Sequence, residues 1–144
     1  MLHYKISLIL LLIITANTEP VHTNSTIPGW MKGRFSDDYG NNYTISDSLF
    51  FMEPKAKYHI IRWDSSGQFI LTHNNENNPS EKGLYTRIDY MQFPGIKPFE
   101  WGFCLTVYDA VDTLSAVAAP QAKREIPQKG CNGFPFSRMK RRKD

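Results

Sequence analysis

Long apolar runs are scarce in this sequence. The longest is Ile6-Ser-Leu-Ile-Leu-Leu-Leu-Ile-Ile14, nine residues, whereas a membrane-spanning helix needs about 20. Cysteine is scarce too: Cys104 and Cys131 are the only two. With no C-x-x-C spacing, two thiols alone cannot complete a tetrahedral metal site. The chain carries no G-x-S-x-G nucleophile turn and no glycine-rich phosphate loop, so the usual sequence signals of acyl and phosphoryl transfer are missing. No internal repeat is evident. Charge of one sign is not in excess. The formal net charge is +3, and five cations (Arg138, Lys140, Arg141, Arg142 and Lys143) fall in the last seven residues. Without residues 138–144 the balance drops by four, to −1. A near-neutral body argues against a nucleic-acid-binding face.

What is present points to export. Residues 1–18 have the order of a secretory signal: a positive start at Lys5, the apolar run, then Thr15-Ala16-Asn17-Thr18. Cleavage after Ala16 or Thr18 leaves about 120 residues, enough for one domain with a modest core. The expectation is a secreted or periplasmic protein with no stable membrane span after cleavage. An oxidising compartment favours joining Cys104 to Cys131. Closing that loop would stabilise the fold by roughly 3.5 kcal/mol in the chain-entropy picture. Asn24-Ser-Thr26 and Asn42-Tyr-Thr44 are glycosylation sequons, meaningful only in a eukaryotic secretory pathway.

Aromatic residues make up 13% of the chain, and nine Gly and nine Pro supply turns, a mixture suited to a β-rich domain. After a loose lead-in at 19–29, short β-type runs alternate with turn chemistry. They fall at 32–36, 43–46 and 49–52, and the strongest at 57–63, 68–73, 84–93 and 99–108. A helix is expected at 110–119, capped by Asp109, with Val111, Leu114 and Ala118 on one face and Pro120 as the stop. Residues 121–144 read as irregular chain pinned at Cys131 and ending in a basic tail at 138–144. In the last long strand Phe99, Trp101, Phe103, Leu105 and Val107 share one face and Cys104 lies on the other. The fold expected is mainly β: a small antiparallel meander rolled into a barrel or half-barrel, with one short C-terminal helix and one disulfide. The single domain spans 30–137.

Several residues invite chemistry. Asp64-Ser-Ser-Gly67 suits a type I turn followed by a bulge with Gly67 left-handed. That register sets Trp63 opposite Phe69, Ile61 opposite Leu71 and His59 opposite His73. Two facing imidazoles suggest a metal site, although two ligands need a third. Asp37-Asp38 suggests acid–base work, against which adjacent turn residues point apart. Arg87 and Asp89 share a strand face with Tyr85 and Met91, and could line a barrel interior or sit as ordinary ion pairs on a solvated face. The basic tail suits either an anionic cell-envelope partner or plain solvation.

One combination of motifs is familiar: Trp30-Met-Lys-Gly-Arg-Phe-Ser-Asp-Asp-Tyr-Gly40, Tyr43-Thr-Ile45, Tyr58-His-Ile60, Gly83-Leu-Tyr-Thr-Arg-Ile-Asp-Tyr90, Cys104 and Gly130-Cys-Asn-Gly-Phe-Pro-Phe136. Together they resemble an uncharacterised family of exported bacterial proteins, signal-bearing and often lipoproteins, with two cysteines in these places. The resemblance covers about residues 30–138. It implies a compartment and a disulfide, and no activity. No Cys lies near the leader's end to take a lipid, which implies a soluble form. Gly33-Arg-Phe35 is also similar to the G-x-W opening of lipocalin-like barrels, an analogy of fold only.

The function expected is an exported, non-enzymatic binding or accessory domain. It would hold a small apolar molecule, or present its sheet to a cell-envelope partner, with Tyr43, Tyr58, Tyr85, Arg87, Asp89, Trp101 and Tyr108 as the lining. The alternatives are a hydrolase using His59 with a carboxylate such as Asp89, and metal binding through His59 and His73. Nothing in the sequence calls for a cofactor.

Overall fold

A computed structural model describes residues 26–143. The expected signal at 1–18, most of the lead-in and the first sequon lie outside the described residues. Eight antiparallel strands form a closed barrel in sequence order, each paired with the next and the last with the first. They are β1 (Gly33–Asp37), β2 (Asn42–Ile45), β3 (Leu49–Met52), β4 (Ala56–Asp64), β5 (Phe69–Asn74), β6 (Tyr85–Gln92), β7 (Trp101–Ala110) and β8 (Ser137–Arg141). One helix, α1 (Thr113–Ala118), lies between β7 and β8. Closure leaves no sheet edge running the length of the wall.

Period-two alternation builds the interior. Phe35 on β1, Tyr43 and Ile45 on β2, Phe50 on β3, Tyr58 on β4, Ile70 on β5, Ile88 and Tyr90 on β6, Trp101 and Phe103 on β7 and Met139 on β8 share one buried cluster. An eight-stranded barrel has a lumen just wide enough for side chains, and here rings occupy it. Phe35 meets Trp101 at 5.5 Å, Tyr43 meets Phe103 at 5.5 Å and Phe50 meets Phe103 at 5.2 Å, all edge to face. A 3-10 turn at Gly29–Met31 lies against one end of the barrel, with Trp30 edge-on to both Trp101 and Tyr90. Arg141 holds it there, donating to the Lys32 and Trp30 carbonyls while its guanidinium covers the Phe35 ring at 4.7 Å.

Four expectations need correction. First, residues 137–141 are not irregular tail: β8 pairs with both β1 and β7 and completes the barrel. Two of the tail's cations are fixed by ion pairs, Arg138 to Asp38 at 2.8 Å and Arg142 to Glu53 at 3.3 Å. Second, the β4–β5 register holds at His59↔His73 but slips beyond it, giving Arg62↔Leu71 and Trp63↔Ile70. The cause is a bulge at Ile61, which is 51% exposed, while Ile60 and Trp63 pack on the core. The left-handed residue of this hairpin is Gln68, not Gly67.

Third, a bulge at Thr106 breaks the alternation of β7, so Arg87 faces Val107 and Ile88 faces Leu105. Val107 thereby joins Phe69, Leu71 and Ala110 in an outer cluster. Fourth, α1 begins three residues later than expected because β7 stays extended to Ala110. Its cap is Asp112, which accepts from the Ser115 N–H at 2.7 Å. Ala116, not Val111 or Leu114, is the buried contact, and those two are 75% and 80% exposed.

The disulfide forms as expected, joining Cys104 to Cys131 with Cα atoms 5.5 Å apart. It fastens the segment between α1 and β8 to the outside of β7, where Phe93, Ala122 and Phe136 pack around it. Gly130 lets that segment fold on itself: a Cβ there would lie 1.9 Å from the Lys123 carbonyl oxygen.

Candidate functional site

The seven residues expected to line one site do not converge. Tyr43, Tyr58 and Trp101 are inside the barrel, packed against other rings. Tyr85 and Arg87 point outward, toward the face that α1 covers. Asp89 is also outside the lumen, and Tyr108 is 47% exposed beyond it. None of the three register shifts in β4–β5 and β6–β7 is visible in the alternation, so two surfaces read from sequence as one.

Asp89 is fully buried and anchors the covering segment. Its Oδ1 accepts from Arg87 Nε at 3.2 Å and from Arg124 Nη2 at 3.1 Å; its Oδ2 accepts from the Ala122 N–H at 3.0 Å and from the Thr106 hydroxyl. Arg87 Nη1 continues to the carbonyls of Val117 and Ala119, and Arg124 reaches those of Tyr90, Gly67 and Gln68. Every partner belongs to residues 117–124, to β6 or β7, or to the β4–β5 turn. The arrangement is a clasp that holds residues 117–124 on β6, with the carboxylate fully hydrogen-bonded.

The hydrolase pairing does not form. His59 contacts Asn75 Nδ2 through Nε2 at 2.8 Å, on an exposed patch, while Asp89 is enclosed in its clasp. His59 and His73 are cross-strand neighbours. The His73 Nε2 lies 3.1 Å from the Gly83 carbonyl, which makes it a donor, and its ring stacks beside Tyr85 at 5.0 Å. No group of three or more His, Cys, Asp or Glu side chains able to hold a metal occurs among the described residues.

Asp37 serves the β1–β2 turn. It accepts from the Tyr39 and Asn41 N–H groups at 2.9 and 2.8 Å, from Asn41 Nδ2 at 3.0 Å and from the Tyr43 hydroxyl at 2.8 Å. Four donors leave no lone pair for proton abstraction. Burial, and then the Asp37 carboxylate, push the Tyr43 phenol well above its ordinary pKa. Asp37, Tyr39, Asn41 and Tyr43 line one side of a slot of about 250 Å³, facing Phe103, Leu105 and the disulfide. The slot opens because β8 starts at Ser137, opposite Phe103, and leaves the rest of β7 without a β8 neighbour.

A second pocket, about 290 Å³, opens on the outer wall. Its lining comes from Phe93 and Ile96 on one side, Pro127, Gln128, Pro135 and Phe136 on the other, and Arg138 of β8. Glycine at 102 shapes the floor: a Cβ there would lie 2.6 Å from Phe93 Cε2, so its absence lets that ring lie across β7. The Phe136 N–H bonds to the Pro127 carbonyl at 2.9 Å and fixes the far wall. Arg138 is held by Asp38, which accepts from its backbone N–H at 3.1 Å and from its Nε at 2.8 Å, and by the Phe99 ring 4.5 Å from the guanidinium carbon. Of these seven lining residues the sequence singles out only Arg138, as one cation of the basic tail. The available signal was the Phe-Pro-Phe stretch at 134–136 and the Pro94-Gly-Ile-Lys-Pro98 turn, two irregular segments that the disulfide and β8 bring together.

No protein-family profile, no curated protein and no solved structure matches this chain.

Proposed function

We propose that the chain is an exported, non-enzymatic binding protein that carries a small ligand with a largely apolar body on its outer wall and not in its lumen. The observation that carries this reading is the contrast between the two spaces. The lumen is occupied by its own aromatic rings, whereas the outer pocket is concave, walled by Phe93, Ile96, Pro127, Pro135 and Phe136, and has polar groups only at Gln128 and Arg138. A few convergent polar groups on an apolar surface are the usual form of a small-molecule site. The disulfide supports export, and among the described residues no helix is long and apolar enough to cross a membrane. The polar clusters read as possible acid–base groups have their oxygens occupied by structural donors, which favours binding over catalysis.

A thermal-shift titration with a neutral bicyclic probe, 2-naphthalenemethanol, tests the reading. Stabilisation that rises with probe concentration is expected. Ile96 is 45% exposed, so Ile96→Asp should leave the unliganded melting temperature nearly unchanged and abolish the shift. A wild-type protein that the probe does not stabilise, or a shift equally large in Ile96→Asp, would overturn the assignment of this pocket.

A further inference from the structure

We infer that the ligand of the outer pocket is an aromatic carboxylate whose charged head is read by Arg138; the inference rests on the preceding reading that this pocket binds a ligand. Arg138 differs from four other arginines of the barrel and its strap. Arg87, Arg124, Arg141 and Arg142 each place a terminal nitrogen on a protein carbonyl or carboxylate. Arg138 uses only its backbone N–H and Nε, both toward Asp38. Neither of its Nη atoms meets an acceptor among the described residues. Asp38 and the Phe99 ring thus hold the guanidinium on two sides, and the Arg138 side chain, 43% exposed, lines the pocket. A pre-oriented guanidinium with a free edge is the donor geometry that matches a carboxylate.

The walls select the rest of the molecule. Two phenyl rings (Phe93 and Phe136) and two pyrrolidine rings (Pro127 and Pro135) present flat surfaces, with Ile96 at the rim. Flat faces favour a planar aromatic ring over a flexible chain, since aromatic rings gain from offset and edge-on contact. The volume, about 290 Å³, is at the low end for small-ligand sites. It suits two fused rings with a short head and does not suit a long acyl tail.

The Arg138 side chain is 43% exposed and already faces Asp38, so the carboxylate preference should be moderate, about tenfold in affinity. Calorimetric titration of the disulfide-bonded protein compares three probes with one ring system: 2-naphthoate, 2-naphthalenemethanol and 2-naphthylmethylammonium. The expected order is carboxylate tightest and ammonium weakest. Arg138→Gln should remove the advantage of naphthoate and leave the affinity for the alcohol as it was. Because that change also removes a bond to Asp38, Gln128→Glu at the exposed rim gives an independent check: it should weaken naphthoate several-fold and spare the alcohol. Equal affinity for naphthoate and alcohol in the wild-type protein would overturn the inference and leave the pocket standing. Tight naphthoate binding unchanged in both variants would place the head elsewhere and also overturn it. If none of the three probes binds, the pocket itself is wrong, and the inference falls with it.

Discussion

Arg87 and Asp89, two residues apart on β6, turn the same way out of the barrel and meet through Nε and Nη2 at 3.2 and 3.1 Å. Asp89 is wholly buried and Arg87 nearly so. An isolated charge in such a place is strongly disfavoured, so the pair is stable only while both partners remain. Asp89→Ala should therefore destabilise the fold by about 3–5 kcal/mol, read as a lower urea midpoint. It should also raise hydrogen exchange across 117–124, the segment it clasps. Loss of stability with unchanged protection there would mean that the clasp does not hold the strap.

Alkaline stability follows from the tyrosines. Tyr43, Tyr58 and Tyr90 all have phenol pKa values raised above 10, burial being the first cause in each. In the unfolded chain these groups ionise near 10. Below that pH both states hold the proton and the contribution is constant; above it the unfolded state releases protons that the folded state keeps. Stability should fall as pH rises beyond 10, by up to about 1.4 kcal/mol per pH unit for each tyrosine. Tyr43→Phe should make the decline shallower, which chemical denaturation at pH 9, 10 and 11 would reveal. A slope unaffected by the substitution would remove Tyr43 from the account.

The disulfide closes a loop with a sequence separation of 27. Replacing both cysteines by Ala should lower stability by about 3.5 kcal/mol. The 131–136 segment builds one wall of the outer pocket, so the same variant should bind 2-naphthalenemethanol more weakly. Mass spectrometry of protein from its native source should show the bonded thiols and the loss of an N-terminal leader.

The β4 bulge makes neighbouring isoleucines unequal. Ile60 packs against the core and Ile61 is half in solvent. Ile60→Ala should cost about 2–4 kcal/mol, and Ile61→Ala should stay near 0.5 kcal/mol. Equal effects would show that the strand runs without its bulge.

Much of the barrel was legible because it depends on local patterning. Strands 49–52 and 57–63, the Asp64-Ser-Ser-Gly67 turn and the alternation of Trp101 and Phe103 are short-range signals with period two. The His59–His73 pairing was also read correctly, since it precedes the bulge at Ile61. The β4–β5 pairs between that bulge and the turn are displaced by one position, because one extra residue in a strand carries no mark in composition. Strand β8 was missed for a related reason: Ser137-Arg-Met-Lys-Arg141 offers one apolar residue, Met139, and is a strand only because two neighbours are waiting to pair with it.

The sequence by itself determined the β class, the turn positions and which two sulfurs could join, since propensity, turn chemistry and cysteine count act over a few residues or need only a tally. Tertiary structure decided which side of the wall a residue occupies wherever the alternation breaks. Closure of the barrel and three register shifts, one in β4–β5 and two in β6–β7, set that, and they send Tyr43 and Trp101 inward, Arg87 and Asp89 under a strap, and Arg138 to the edge of a pocket whose walls lie more than thirty residues apart along the chain. Such a site arises from long-range pairing energies, which no local window of the chain contains.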